Sequence, residues 1–85
     1  MNKNRRKALE EIASHIENIK SSLEMYRDEE QEYFDNMPES FQYSEKGERA
    51  EECVNCLDDA INDLDSVYEN INSAIEWNWQ MKKKW

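Results

Sequence analysis

The stretch Asn36–Ser44 (Asn-Met-Pro-Glu-Ser-Phe-Gln-Tyr-Ser) is the only interruption in an otherwise helical pattern, and it contains the only proline. Pro38 has no N–H and biases Met37 away from helical angles, so a helix arriving from the N-terminal side must stop by Asn36 or Met37. Ser44 is a good N-cap for a second helix, with Glu45 and Glu48 placing negative charge on its positive end. One break between two long helical arms predicts a chain that folds back on itself. The predicted fold is all-α: a single domain, residues 1–85, forming an antiparallel two-helix hairpin. Helix 1 is expected at about 4–35, the turn at 36–44, helix 2 at about 45–79 and a basic tail at 80–85.

The first arm carries Leu9, Ile12, Ile16, Ile19, Leu23, Tyr26 and Tyr33 at steps that mostly alternate between three and four. This predicts a heptad seam with Leu9, Ile16 and Leu23 on one line and Ile12, Ile19, Tyr26 and Tyr33 on the other, Glu30 being its misfit. Ala8, Ala13, His15 and Ser22 would flank it. The second arm gives Ala50, Val54, Leu57, Ile61, Leu64, Tyr68, Ile71 and Ile75, with a further line at steps of seven, Cys53, Ala60, Val67 and Ala74, continuing to Met81. That stripe is wider than one partner helix needs. Folding about residue 40 pairs Tyr33 with Gly47 or Ala50, Leu23 with Leu57, Ile19 with Ile61, Ile16 with Leu64 and Leu9 with Ile71. A lone hairpin this small is marginal, since such a core seldom yields more than about 3–5 kcal/mol. The surplus line Cys53, Ala60, Val67 and Ala74 therefore predicts a homodimer, two hairpins pairing into a four-helix bundle, the alternative being a monomeric hairpin with a binding stripe.

Charge limits the partners. The chain carries 20 acids against 11 bases, a net −9, so general attraction to nucleic acid or an anionic membrane is not expected; a basic protein is. All the acids lie between Glu10 and Glu76, opposed there only by Lys20, Arg27, Lys46 and Arg49. Basic residues start and end the chain, so a hairpin would be an acidic rod with a basic, tryptophan-bearing tip. Trp77, Trp79 and Trp85 beside Lys82, Lys83 and Lys84 admit membrane contact or base stacking. The favoured reading has Trp77 and Met81 packing on Arg5, Ala8 and Leu9 to close the bundle end. No apolar run approaches the ~20 residues that cross a bilayer. The basic start lacks an apolar signal core, and two cysteines without export point to the reducing cytoplasm.

Catalytic chemistry has little to build on. Cys53 and Cys56 form a lone C-x-x-C; zinc would need two more ligands, and the single His15 lies on the other arm. A redox pair wants the motif at a helix start beside a strand. Cys53 reads as a small hydrophobe, Cys56 as outward-facing and His15 as a boundary residue. One glycine cannot make a phosphate loop, and paired carboxylates are too numerous to single out any. No enzyme and no cofactor are expected.

The run Glu29-Glu30-Gln31-Glu32-Tyr33-Phe34-Asp35-Asn36-Met37-Pro38-Glu39-Ser40-Phe41-Gln42, then Ser44 to Glu52, then Leu57-Asp58-Asp59-Ala60-Ile61, resembles a group of short proteins carried by bacterial viruses and prophages. The resemblance spans about Arg5 to Glu76 and leaves out Cys53 and the Trp-Lys tail. It implies a phage-encoded accessory protein acting in the host cytoplasm, and supplies no activity. Small acidic phage proteins include DNA-mimic inhibitors, an analogy of size and charge.

The functional expectation is a non-enzymatic inhibitor that binds a bacterial protein, such as a nucleic-acid-processing or anti-phage defence factor, through an acidic, DNA-like surface. Candidate binding residues are Phe34, Met37, Phe41 and Tyr43 at the turn and Glu51, Glu52, Asp58, Asp59, Asp63 and Asp65 on helix 2. The alternative is a structural adaptor acting through its apolar stripe.

Overall fold

The structure, a computed structural model, describes residues 1–84 and the side chains of residues 1–76. Two long helices, α1 (Lys3–Asp35) and α3 (Glu45–Lys84), pack side by side and are joined through a one-turn helix, α2 (Glu39–Gln42). The molecule is a thin rod, 65 × 17 × 13 Å between Cα extremes.

Local chemistry sets the helix ends. Asn2 is extended, and its Oδ1 accepts a bond from the Arg5 N–H at 2.7 Å, satisfying one of the donors a helix start leaves open. At the other end of α1 the Asn36 N–H donates to the Glu32 carbonyl and the Met37 N–H to the Phe34 carbonyl. Pro38 then does more than stop the helix. Its fixed φ of −55° starts α2, whose Phe41 and Gln42 amides donate to the Pro38 carbonyl. The Gln42 side chain turns back and donates to the Phe34 and Met37 carbonyls, at 3.2 and 3.3 Å, which ties the turn to the last turn of α1. Ser44 precedes α3, and its Oγ sits 3.5 Å from the Gly47 N–H.

Gly47 is buried under this turn. A Cβ there would lie 2.2 Å from the Gln42 carbonyl oxygen and 2.5 Å from that of Phe41, both backbone atoms that cannot step aside. The glycine is needed because α2 rests on it. Tyr33, expected to cover it, is exposed.

On α3 the buried and half-buried apolar positions include Ala50, Val54, Leu57, Ile61, Leu64, Tyr68, Ile71 and Ile75, the seam predicted from the sequence, with Ala60 half-buried beside it. On α1 only half of the predicted seam faces inward. Leu9, Ile16 and Leu23 are half-buried, but Ile12, Ile19, Tyr26 and Tyr33 are 46%, 52%, 55% and 45% exposed. The second inward line is instead Ala13, Lys20, Arg27 and Phe34, with Ala13 buried and the others half-buried. Glu30, the misfit, is half-buried on the Leu9–Leu23 line.

The reason is electrostatic as well as steric. Lys20 Nζ pairs with Asp65, and Arg27 Nη1 lies 3.0 Å from Asp58 Oδ1. These pairs are seven residues apart on both helices and run in opposite directions, so they fix an antiparallel register. In that register Leu23 stands level with Ile61 and Ile16 with Tyr68, about one helical turn from the pairing that folding about residue 40 predicts. Lys and Arg can lie along a seam because their stems pack while their charged ends reach its edge.

The buried apolar residues are Ala13, Ala50, Val54 and Ile61, a thin interior among the described residues. α3 continues as helix to Lys84, past the expected end near Trp79. The expected packing of Trp77 and Met81 on Arg5, Ala8 and Leu9, and the side chains of the Trp-Lys tail, lie outside the described residues.

Candidate protein-binding surface

The two ion pairs also define the sides of the rod. Asp58 and Asp65 each follow a seam residue of α3 by one position, and meet the Lys20 and Arg27 edge of α1. Cys53, Ala60, Val67 and Ala74 precede or adjoin the seam on its opposite edge. They share that edge with Ile12, Ile19, Tyr26 and Tyr33, each three residues beyond the Leu9–Leu23 line or its continuation at Glu30. One contact agrees with this geometry: Lys46, seven residues before Cys53, holds its Nζ 5.8 Å from the centroid of the Tyr33 ring. The hairpin thus has an ion-paired side and an apolar side.

Acids follow the same division. Glu10, Glu17, Glu24, Glu51, Asp58 and Asp65 lie on the ion-paired side. Glu11, Glu32, Glu45, Glu48, Glu52, Asp59, Glu69 and Glu76 cover the outer surfaces next to it. The apolar side is bordered by Ala8, His15, Ser22 and Glu29 on α1 and by Arg49, Cys56, Asp63 and Asn70 on α3. There, opposite charges and small residues replace the acid run.

The candidate acids of α3 therefore do not form one patch. Glu51, Glu52 and Asp59 are exposed on the acidic side, whereas Asp63 is exposed at the border of the apolar side. Asp58 and Asp65 are half-buried and already face Arg27 and Lys20. The hydrogen bond to Asp65 holds the Lys20 ammonium above the usual lysine range, against the opposite pull of desolvation. Hydrogen bonds to Asp58 and then Asp28 raise Arg27 likewise. Acids missed by the sequence reading, Glu10, Glu11 and Glu17 of α1, lie on the same broad surface as Glu51 and Glu52. Their signal was present as a charge run, but which strip of α3 lay beside it depended on the register.

The turn residues also divide. Phe34 and Met37 are half-buried, Phe34 within the seam and Met37 beside the turn. Phe41 and Tyr43 are exposed, Tyr43 at 79%. Tyr33, Met37, Pro38, Phe41 and Lys46 line a shallow depression at this end, to which Tyr33 contributes although the sequence placed it in the core. Cys53 and Cys56 are both free and exposed. Cys53 is therefore not the packed small hydrophobe predicted, because the seam passes through Val54. Among the described residues, no three His, Cys, Asp or Glu side chains gather as metal ligands, and no helix is long and apolar enough to cross a membrane.

No family model matches the chain, and neither a curated protein nor a solved structure does.

Proposed function

We propose that this chain is a non-enzymatic binding protein, working as a pair of hairpins, that occupies the basic groove of a nucleic-acid-binding protein and blocks it. The observation that carries this reading is the collection of exposed carboxylates on one broad surface of a thin rod, around Glu10, Glu17, Glu51, Glu52 and Asp59. A rod of this kind offers a groove regularly spaced negative charge in place of phosphates. Duplex DNA presents one charge per about 1.7 Å of axis, and the acidic span of the chain, doubled in a pair, comes near that density. The resemblance to short phage and prophage proteins suggests the setting: an accessory factor in the cytoplasm of an infected bacterium, directed at a processing or defence enzyme.

The experiment is retention of partners from a bacterial lysate at low and high salt, followed by competition with duplex DNA. Nucleic-acid-binding proteins held at low salt, released at high salt and displaced by DNA are expected, since charge-based binding falls steeply with ionic strength. The variant Glu51→Gln/Glu52→Gln/Asp59→Asn should weaken retention. Partners that resist both salt and DNA would overturn the reading in favour of an adaptor using apolar contacts.

A further inference from the structure

We propose that the side of the rod bearing Ile12, Ile19, Tyr26 and Tyr33 on α1 and Ala60 and Val67 on α3 is the surface on which a second copy of this chain packs. This deepens the paired unit proposed above and rests on that part of it. Four observations converge on this occupant.

The first is supply. Four small or medium apolar residues are all that a single hairpin buries among the described residues, while large apolar groups line one side in the open. Burying these is the obvious source of the stability that a two-helix core lacks. The second is area. From Ala8 to Tyr33, at about 1.5 Å per residue, the strip is about 38 Å long. With the 17 Å breadth of the rod it offers on the order of 600 Å² per copy, which reaches the lower bound for a specific interface.

The third is charge. At a net −9, two copies repel over most of their surfaces. The apolar side is where that repulsion is least, because Glu29 and Asp63 are the acids along its borders and Arg49 and Lys46 offset them. A cationic partner, by contrast, is drawn to the other side. The fourth is shape. Large residues line the α1 half of the strip and smaller ones the α3 half. A copy turned by half a rotation about the rod axis lays α1 over the other copy's α3 at the same level. Ile19 then meets Val67 and Tyr26 meets Ala60 across the interface, large on small in each layer.

Among the described residues, the large exposed apolar groups outside this strip are Phe41 and Tyr43 at the turn and Met25, which is 49% exposed on the outer surface of α1. Met25 therefore serves as the control. Light scattering of the full chain should give twice the 10.3 kDa chain mass. Ile19→Glu/Val67→Glu should halve it while helical circular dichroism persists, and Met25→Glu should leave the doubled mass unchanged. In Cys56→Ser protein, alkylation of Cys53 should be slower than in the same protein carrying Ile19→Glu/Val67→Glu. A wild-type chain that stays at single mass into the millimolar range overturns the proposal. So does a doubled mass that survives Ile19→Glu/Val67→Glu or falls equally with Met25→Glu. The two readings fail separately: a single-mass chain that still binds its basic partner sinks only the pairing, and a doubled one that binds nothing sinks only the groove-blocking function.

Discussion

The two edges of the α1–α3 seam are built from opposite materials. One is closed by Lys20–Asp65 and Arg27–Asp58 and backed by carboxylates; the other shows Ile12, Ile19, Tyr26 and Tyr33 to solvent across from Ala60 and Val67. Ion pairs at a half-exposed edge add modest stability but are selective, because only one register satisfies both. Apolar residues add more when covered, but tolerate many registers. The hairpin thus uses charge to choose its alignment and leaves much of its apolar material exposed.

The comparison is broken most severely by removing the floor both edges share. Ile61→Ala should cost about 2–4 kcal/mol, as large-to-small changes in a core do. In a rod with so thin an interior this should appear as loss of the cooperative thermal transition at moderate temperature. Retention of the wild-type melting temperature would show that Ile61 is not part of a working core.

Gly47→Ala acts from the end of the rod. Its methyl would press on the Phe41 and Gln42 carbonyls, so α2 must lift, at a cost of about 1–3 kcal/mol typical of overpacking. A melting temperature that rises, as it would if only helix propensity mattered, would show that α2 does not rest on Gly47.

The sharpest contrast places the same residue on both edges. Lys20→Glu/Arg27→Glu sets carboxylates against Asp65 and Asp58, and should lower the melting temperature of the hairpin itself by more than Ile19→Glu/Val67→Glu does in the single-mass state. Equal effects would remove the distinction between an aligning edge and an associating one.

The smallest effect is a pH dependence. Lys20 has a raised folded-state pKa, so its contribution is complete below the ordinary lysine range and is lost as pH rises through the folded value. Stability should decline on the alkaline side, and Lys20→Met should flatten that decline. An unchanged alkaline slope in the variant would remove Lys20 as its source.

Much of this was legible in the chain itself. Pro38 and Ser44 marked the break, and the α3 seam could be read off because Val54, Leu57, Ile61 and Leu64 leave no competing set of large apolar residues. α1 was ambiguous for a physical reason. Its Leu9, Ile16 and Leu23 line can be completed by either neighbouring line, Ile12–Tyr33 or Ala13–Phe34. Hydropathy favours the first, since the second includes Lys20 and Arg27. The pattern of α1 alone carries nothing of Asp58 and Asp65 on the other helix, so the expected register was displaced too, and with it the acids that share a surface. α2 was hidden similarly, because Pro38 reads as a stop although it is also a start.

By itself, then, the sequence determined two helices, their junction, the inward line of α3 and an excess of acid. Only the tertiary structure decided which half of the α1 stripe turns inward. A stripe with a period near 3.5 is wider than one helix contact, and the choice between its halves belongs to the residues opposite.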